Sequence, residues 1–307
     1  VPLGTQGNLF GITGGEGTGK SNYVAAIVAG CICPAGADID TLGVQITANG
    51  RHKAVLLYDT EQSEVQLFKN VNNLLTRAKQ PDKPDELKAF CLTGMSRKER
   101  LNAIVQSMDK FYYQYGGIQL VVIDGIADLV KSANDEAESV AVIDELYRLA
   151  GIYNTCILCV LHFVPNGLKL RGHLGSELQR KAATILSIEK DEEPTQSVVK
   201  ALKVRDGSPL DVPLMLFAWD KKAGMHTCRG EKPRKEKEKR KERELVCVAR
   251  DVFGRQKRIT YIDLCEQLQQ ILDIKERTAK NYIRFMRERD IIIKDTANQS
   301  YFVIGSI

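Results

Sequence analysis

Hydrophobic and polar positions follow two different periods along this chain, and the switches between them mark out its elements. Uninterrupted apolar runs occur at residues 9–12, 54–58, 120–123 and 156–161. Runs of this length suit strands buried on both faces. Between them the spacing becomes helical. Residues 62–78 set Val65, Phe68, Val71, Leu74 and Leu75 on one side, and 97–114 do the same with Leu101, Ile104, Val105, Met108, Phe111 and Tyr112. Helices are also expected over 20–30, 139–151 and 176–183. A short strand is expected at 90–92, and further strands at 184–190, 197–205 and 214–219. Residues 34–50 and 163–176 read as loops, and Pro81 and Pro84 break the chain. Apolar strands alternating with amphipathic helices predict an α/β fold with a mostly parallel sheet covered on both faces.

The pattern changes at residue 229. Residues 229–244 hold no apolar side chain but Pro233, so they have nothing with which to build a core. They read as a linker, either disordered or a solvated helix held by Glu/Lys pairs. A new unit follows. Helices are expected over 243–253, from 261 with Thr260 as N-cap, and over 275–290, then a hairpin of 291–294 with 300–304. Three helices and a terminal hairpin make a winged-helix layout. The expected organisation is a core at 1–228, a linker at 229–244 and a winged helix at 245–307. Ile283, Met286, Ile292 and Phe302 are read as its core.

Composition adds limits. With 43% apolar and 27% charged residues, the chain resembles an ordinary soluble protein, and no run approaches the ~20 residues of a membrane span. No signal peptide is recognised, and the start at Val1 in loop-like sequence reads as a trimmed end. Cys31-x-Cys33 and Cys156-x-x-Cys159 among eight cysteines suggest zinc, but no His/Cys pair follows at finger spacing. Buried free thiols in a reducing cytoplasm are the favoured reading. The net charge of +5 is uneven: residues 1–228 sum to −2, 229–244 to +4 and 245–307 to +3. The basic excess points to a polyanion partner at the C-terminal end.

One stretch carries chemistry of high specificity. Residues 9–21 read Leu-Phe-Gly-Ile-Thr-Gly-Gly-Glu-Gly-Thr-Gly-Lys-Ser, and Gly14, four residues, then Gly19-Lys20-Ser21 is a phosphate-binding loop between an expected strand and helix. Gly14, Gly15, Glu16, Gly17, Thr18 and Gly19 would turn backbone N–H groups toward phosphate oxygens, at the partially positive start of a helix. Lys20 is the candidate contact to the β- and γ-phosphates of ATP and Ser21 the candidate Mg²⁺ ligand. Asp124 ends an apolar strand at the same sheet edge and is the second candidate ligand. Hydrolysis also needs a carboxylate to orient or deprotonate water. The candidate base is Glu61 in Asp59-Thr60-Glu61, at the end of the second strand. Many P-loop ATPases, which the phosphate loop resembles, carry this Glu directly after the strand-ending Asp, where this chain has Gly125.

At these residues the chain resembles the RecA-like ATPases, whose catalytic Glu ends the second strand in an apolar–Asp–x–Glu pattern. Tyr58-Asp59-Thr60-Glu61 matches it. Over residues 1–228 the resemblance looks closest to the hexameric branch of RepA- and DnaB-type helicases, and to ATPases encoded on plasmids and transposons. It implies that His162 senses the γ-phosphate, and that the loop after it, with Lys169, Arg171 and His173, meets single-stranded DNA. Lys203 and Arg205, two apart on a late strand, would reach the γ-phosphate of a neighbouring subunit in a ring. In the winged helix, Lys280, Asn281, Arg284 and Arg287, with Thr278 beside them, are candidate contacts to duplex DNA, although such domains also bind proteins. The resulting expectation is a Mg²⁺-dependent, cytoplasmic, ring-forming DNA-dependent ATPase, a homo-oligomer and by resemblance a hexamer, that moves along DNA in replication or mobilisation of a mobile element. The rivals are a non-unwinding ATP-dependent switch that loads a recombinase or relaxase, a kinase, and a transcription regulator with a nucleotide-sensing core.

Overall fold

The computed structural model of the chain describes residues 1–162, 172–233 and 236–305, in two compact units, Val1–Lys232 and Pro233–Ile307. The first unit alternates strands and helices: β1 (Leu9–Gly14), α1 (Lys20–Ile32), β2 (Ala54–Asp59), α2 (Glu64–Ala78), β3 (Leu87–Cys91), α3 (Arg97–Tyr115), β4 (Ile118–Asp124), α4 (Glu136–Ile152), β5 (Cys156–His162), α5 (Gly172–Lys181) and β6 (Thr184–Lys190), followed by β7 (Gln196–Val204), β8 (Leu214–Asp220) and β9 (Met225–Lys232). Among the described residues these strands form one nine-stranded sheet in the order β3-β2-β4-β5-β1-β6-β7-β8-β9. Strands β3 through β6 in that order run parallel and β7, β8 and β9 antiparallel. The sheet is thus mostly parallel, as the uninterrupted apolar runs require.

Alternation along each strand divides the core into two layers. Phe10, Ile12, Val55, Leu57, Leu120, Val122, Leu158 and Val160 pack with α1 and α2. Leu9, Leu56, Tyr58, Val121, Ile123, Ile157 and Leu161 pack with α3, α4 and α5. The same alternation settles Cys156-x-x-Cys159. Cys156 lies in the first layer and Cys159 in the second, both buried, so the two thiols cannot grip one ion. The helix starts follow local chemistry. Ser96 and Glu99 form a reciprocal capping box on α3, and Ser63 and Asp135 cap α2 and α4.

Three readings of the sequence are corrected. Helix α5 begins at Gly172, inside the stretch expected to be loop through 176, and ends at Lys181. Strand β9 was not anticipated. It is half-exposed along its length, so it lacks the apolar signature, and its charges had been assigned to the linker. The first unit accordingly continues through Lys232. From Glu236 the charged stretch is helical, one of its two readings, but it is not separate from the next element: α6 (Glu236–Arg255) continues through the expected helix at 243–253.

The second unit continues with β10 (Ile259–Thr260), α7 (Tyr261–Leu272), α8 (Glu276–Glu288), β11 (Ile292–Lys294) and β12 (Tyr301–Ile304). The strands pair antiparallel in the order β10-β12-β11, β10 being an unexpected two-residue addition. Thr260 caps α7, its Oγ1 accepting from the Asp263 N–H at 3.2 Å. Ile283, Met286, Ile292 and Phe302 are buried together with Leu245, Leu264 and Leu268. Among the described residues no helix is long and apolar enough to cross a membrane.

Candidate active site

Strand β1 sits between β5 and β6, where successive crossovers leave in opposite directions and a crevice opens at the strand ends. The turn from β1 into α1 fills that crevice. Gly17 and Gly19 have φ of 67° and 94°, the left-handed region that glycine enters without cost. At Gly19 a side chain is excluded twice over, since a Cβ there would stand 2.8 Å from Cε2 of Phe217. Lys20 is buried, and its Nζ donates to the carbonyls of Gly14 at 3.1 Å and Gly15 at 2.6 Å. Burial lowers its pKa, opposed by the charges of Asp124, Glu61 and Glu16. Thr18 Oγ1 donates to the Gly15 carbonyl at 2.9 Å and closes the loop on itself. Ser21 is exposed in the first turn of α1, which carries no acidic residue, so the partial positive charge of the helix start is not offset locally.

The acids come from two neighbouring strands. In the parallel β2–β4 pair, Asp59 lies opposite Asp124. Asp59 is buried, and its Oδ1 accepts from the N–H groups of Glu61 at 3.0 Å and Gln62 at 2.8 Å. Thr60, also buried, donates through Oγ1 to the carbonyls of Asp124 at 3.0 Å and Gly125 at 2.8 Å. These two residues fold the end of β2 over the end of β4 and hold Glu61 there. Glu61 Oε2 lies 3.4 Å from Nε2 of His162, the last residue of β5. Nδ1 of His162 is buried with no partner among the described residues.

Gly125 is central to this arrangement. Its φ is 97°, and a Cβ there would fall 2.4 Å from Thr60 Oγ1 and 2.7 Å from Glu61 Cγ. The Glu61 side chain therefore occupies the space that a residue following Asp124 would need. Asp124 itself is pushed up to about 7, first by burial and then by the charges of Asp59 and Glu61, with Lys20 and His162 opposing. Three carboxylates against one lysine leave an excess of negative charge that suits a hard divalent cation held by oxygen ligands, and Asp124 and Ser21 are of the type Mg²⁺ takes. Lys20, Glu61, Asp124 and His162 are thus brought together. The parts that sequence reasoning missed are the supports, Asp59 and Thr60. The glycine directly after a strand-ending acid was the available signal for them.

The remaining candidates lie elsewhere. Lys203 is opposite Ile185 in the β6–β7 pair, whereas the phosphate loop leaves β1 at Gly14, opposite Ile188. Lys203 and Arg205 therefore sit toward the far end of the sheet. Lys203 Nζ donates to the carbonyls of Gln179 at 2.7 Å and Arg180 at 3.1 Å, and Arg205 donates to that of Lys181 at 2.9 Å. Both cations cap the C-terminus of α5, and neither reaches the phosphate loop of its own chain. His173 is in the first turn of α5. Lys169 and Arg171 fall outside the described residues. In the second unit Lys280, Asn281, Arg284 and Arg287 are all exposed on α8, while Ala279, Ile283 and Met286 face the core. Glu276 pairs with Lys280 at 2.6 Å, and the Arg287 guanidinium lies 5.8 Å from the Phe302 ring centre.

A family model described as an AAA domain matches residues 3–166, just over half of the chain and the whole stretch from β1 through β5. No curated protein matches it.

Proposed function

Because the chain belongs to this family of AAA domains, which indicates a nucleotide-dependent ATPase, we propose that it is a DNA-dependent ATPase of the ring-forming helicase or translocase type, working on a mobile element. The observation that carries hydrolysis is the placement of Glu61 beside Asp124, facing His162, at the mouth of the phosphate loop. Lys20 would exchange its two carbonyl partners for phosphate oxygens when ATP enters. Ser21 and Asp124 would hold Mg²⁺, which supplies charge neutralisation of the phosphates. Glu61 is the group that orients or deprotonates the attacking water, and its contact with His162 ties it to the end of β5, from which the next segment of chain departs.

DNA enters this reading through two features, and a third concerns the ring. The segment after His162, with Lys169, Arg171 and His173, is the candidate contact for a single strand. The exposed cations of α8, on a unit of three helices and a small sheet that we interpret as a winged helix, are the candidate contact for duplex. Lys203 and Arg205 serve a neighbouring subunit's γ-phosphate, a role supported by their distance from the chain's own loop. The non-unwinding switch is the second reading, favoured by the same α8 surface.

Steady-state ATP turnover with and without single-stranded DNA tests the proposal. Stimulation of about tenfold or more, lost in Lys20→Ala, is expected. A rate indifferent to DNA would overturn DNA dependence. Strand displacement from a forked duplex then separates motor from switch.

A further inference from the structure

The chain's single tryptophan, Trp219, lies one residue before the end of β8 and is 53% exposed. A single exposed apolar side chain is ordinary on a protein surface; what distinguishes Trp219 is its place in the sheet. Its place can be followed through the sheet. β8 runs in the direction of β1, because β7 is antiparallel to both β6 and β8. Phe217, two residues before Trp219, presses against Gly19 at the start of α1 and stacks on Tyr23 with ring centres 6.1 Å apart. Trp219 is on the same face of the strand as Phe217 and one pleat further toward the side on which the phosphate loop opens. Its cross-strand partner is His226, whose ring lies 5.5 Å away and nearly perpendicular at 77°. His226 also meets Phe217 edge-on at 5.7 Å. The histidine thus braces the indole without covering both of its faces. Burial, with the charges of Arg77 and Lys190, lowers the pKa of His226, which keeps this brace uncharged.

We propose that Trp219, held upright by His226, is the stacking platform for the base of the nucleotide whose phosphates the loop of residues 14–21 takes. This rests on the nucleotide reading of that loop. The ligand class is a planar heteroaromatic ring attached to a polyphosphate. The indole supplies face-to-face attraction and apolar cover. Recognition by stacking alone is tolerant of the base, since every base has a π-face.

The lone tryptophan makes its own emission the readout. Titration with MgADP should quench Trp219 fluorescence, whereas magnesium tripolyphosphate, which has no base, should bind by calorimetry and leave the emission largely unchanged. Trp219→Ala should weaken MgADP binding on the order of tenfold, leave tripolyphosphate affinity unaltered and remove the preference for the nucleotide over the bare chain of phosphates. Trp219→Phe should restore most of that preference. MgADP binding to Trp219→Ala as tightly as to the unaltered protein, with tripolyphosphate still bound, would overturn the platform and leave the loop reading standing. Failure of both MgADP and tripolyphosphate to bind the unaltered protein would overturn the loop reading, and the platform with it.

Discussion

Gly125 shows how one absent side chain organises a site. With φ at 97° and Glu61 Cγ only 2.7 Å from where a Cβ would stand, any substitution both strains the backbone and displaces the glutamate. Gly125→Ala is expected to cost about 1–3 kcal/mol of stability. It should also lower ATP turnover at least about tenfold while nucleotide binding through Lys20 persists; loss of binding and turnover in parallel would count against the account. Asp124 makes a second residue-scale prediction. Its carboxyl is raised from 3.8 to about 7, so the folded protein holds a proton that the unfolded chain releases. That contribution is complete below pH ~4 and disappears as pH rises through about 7. In magnesium-free, nucleotide-free buffer, Asp124→Asn should therefore be more stable than the unaltered protein at pH 8, on the order of 4 kcal/mol, and nearly equal to it at pH ~4. Urea denaturation at the two pH values measures this, and a difference independent of pH would contradict it. The residues with chemistry of their own, Lys20, Glu61 and Asp124, stand out in the sequence by type and spacing. Asp59 and Thr60 do not, because their work is to hold backbone groups across two strands that are 65 residues apart from Thr60 to Gly125.

At the scale of elements, legibility follows burial. Strands β1, β2, β4 and β5 are buried along nearly their whole length and read directly as apolar runs. Strand β9, at the sheet edge and never fully buried, gave no such run, and its charges merged with those of the helix after it. Helix α7 was placed by its cap, and Thr260→Ala should destabilise the second unit by about 1 kcal/mol. Helix α8 lets stability and the proposed DNA binding be tested separately, since its apolar face is buried and its cations are exposed. Among the described residues the ion pair of Arg284 is a long 3.8 Å contact with Glu288, a kind of pair worth little to stability. Arg284→Ala should leave thermal melting unchanged, weaken duplex DNA binding and reduce the salt slope by about one. An unaltered slope would mean that α8 faces another partner.

For the whole molecule, the account joins an ATPase core to a basic C-terminal unit and assigns Lys203 and Arg205 to a neighbour. Their bonds to the carbonyls ending α5 give them a role in the isolated chain that periodicity could not reveal. If they act across subunits, specific ATPase activity should rise with protein concentration, and activity strictly proportional to concentration would contradict the ring. The central claim, however, is that Glu61 is the hydrolytic base standing in for a residue after Asp124. It is tested most directly by the turnover of Glu61→Gln at saturating ATP and DNA, with nucleotide affinity measured alongside. The account predicts turnover lower by about a hundredfold or more with nucleotide affinity nearly unchanged. Turnover that survives the substitution within a few-fold would show that another group does the work.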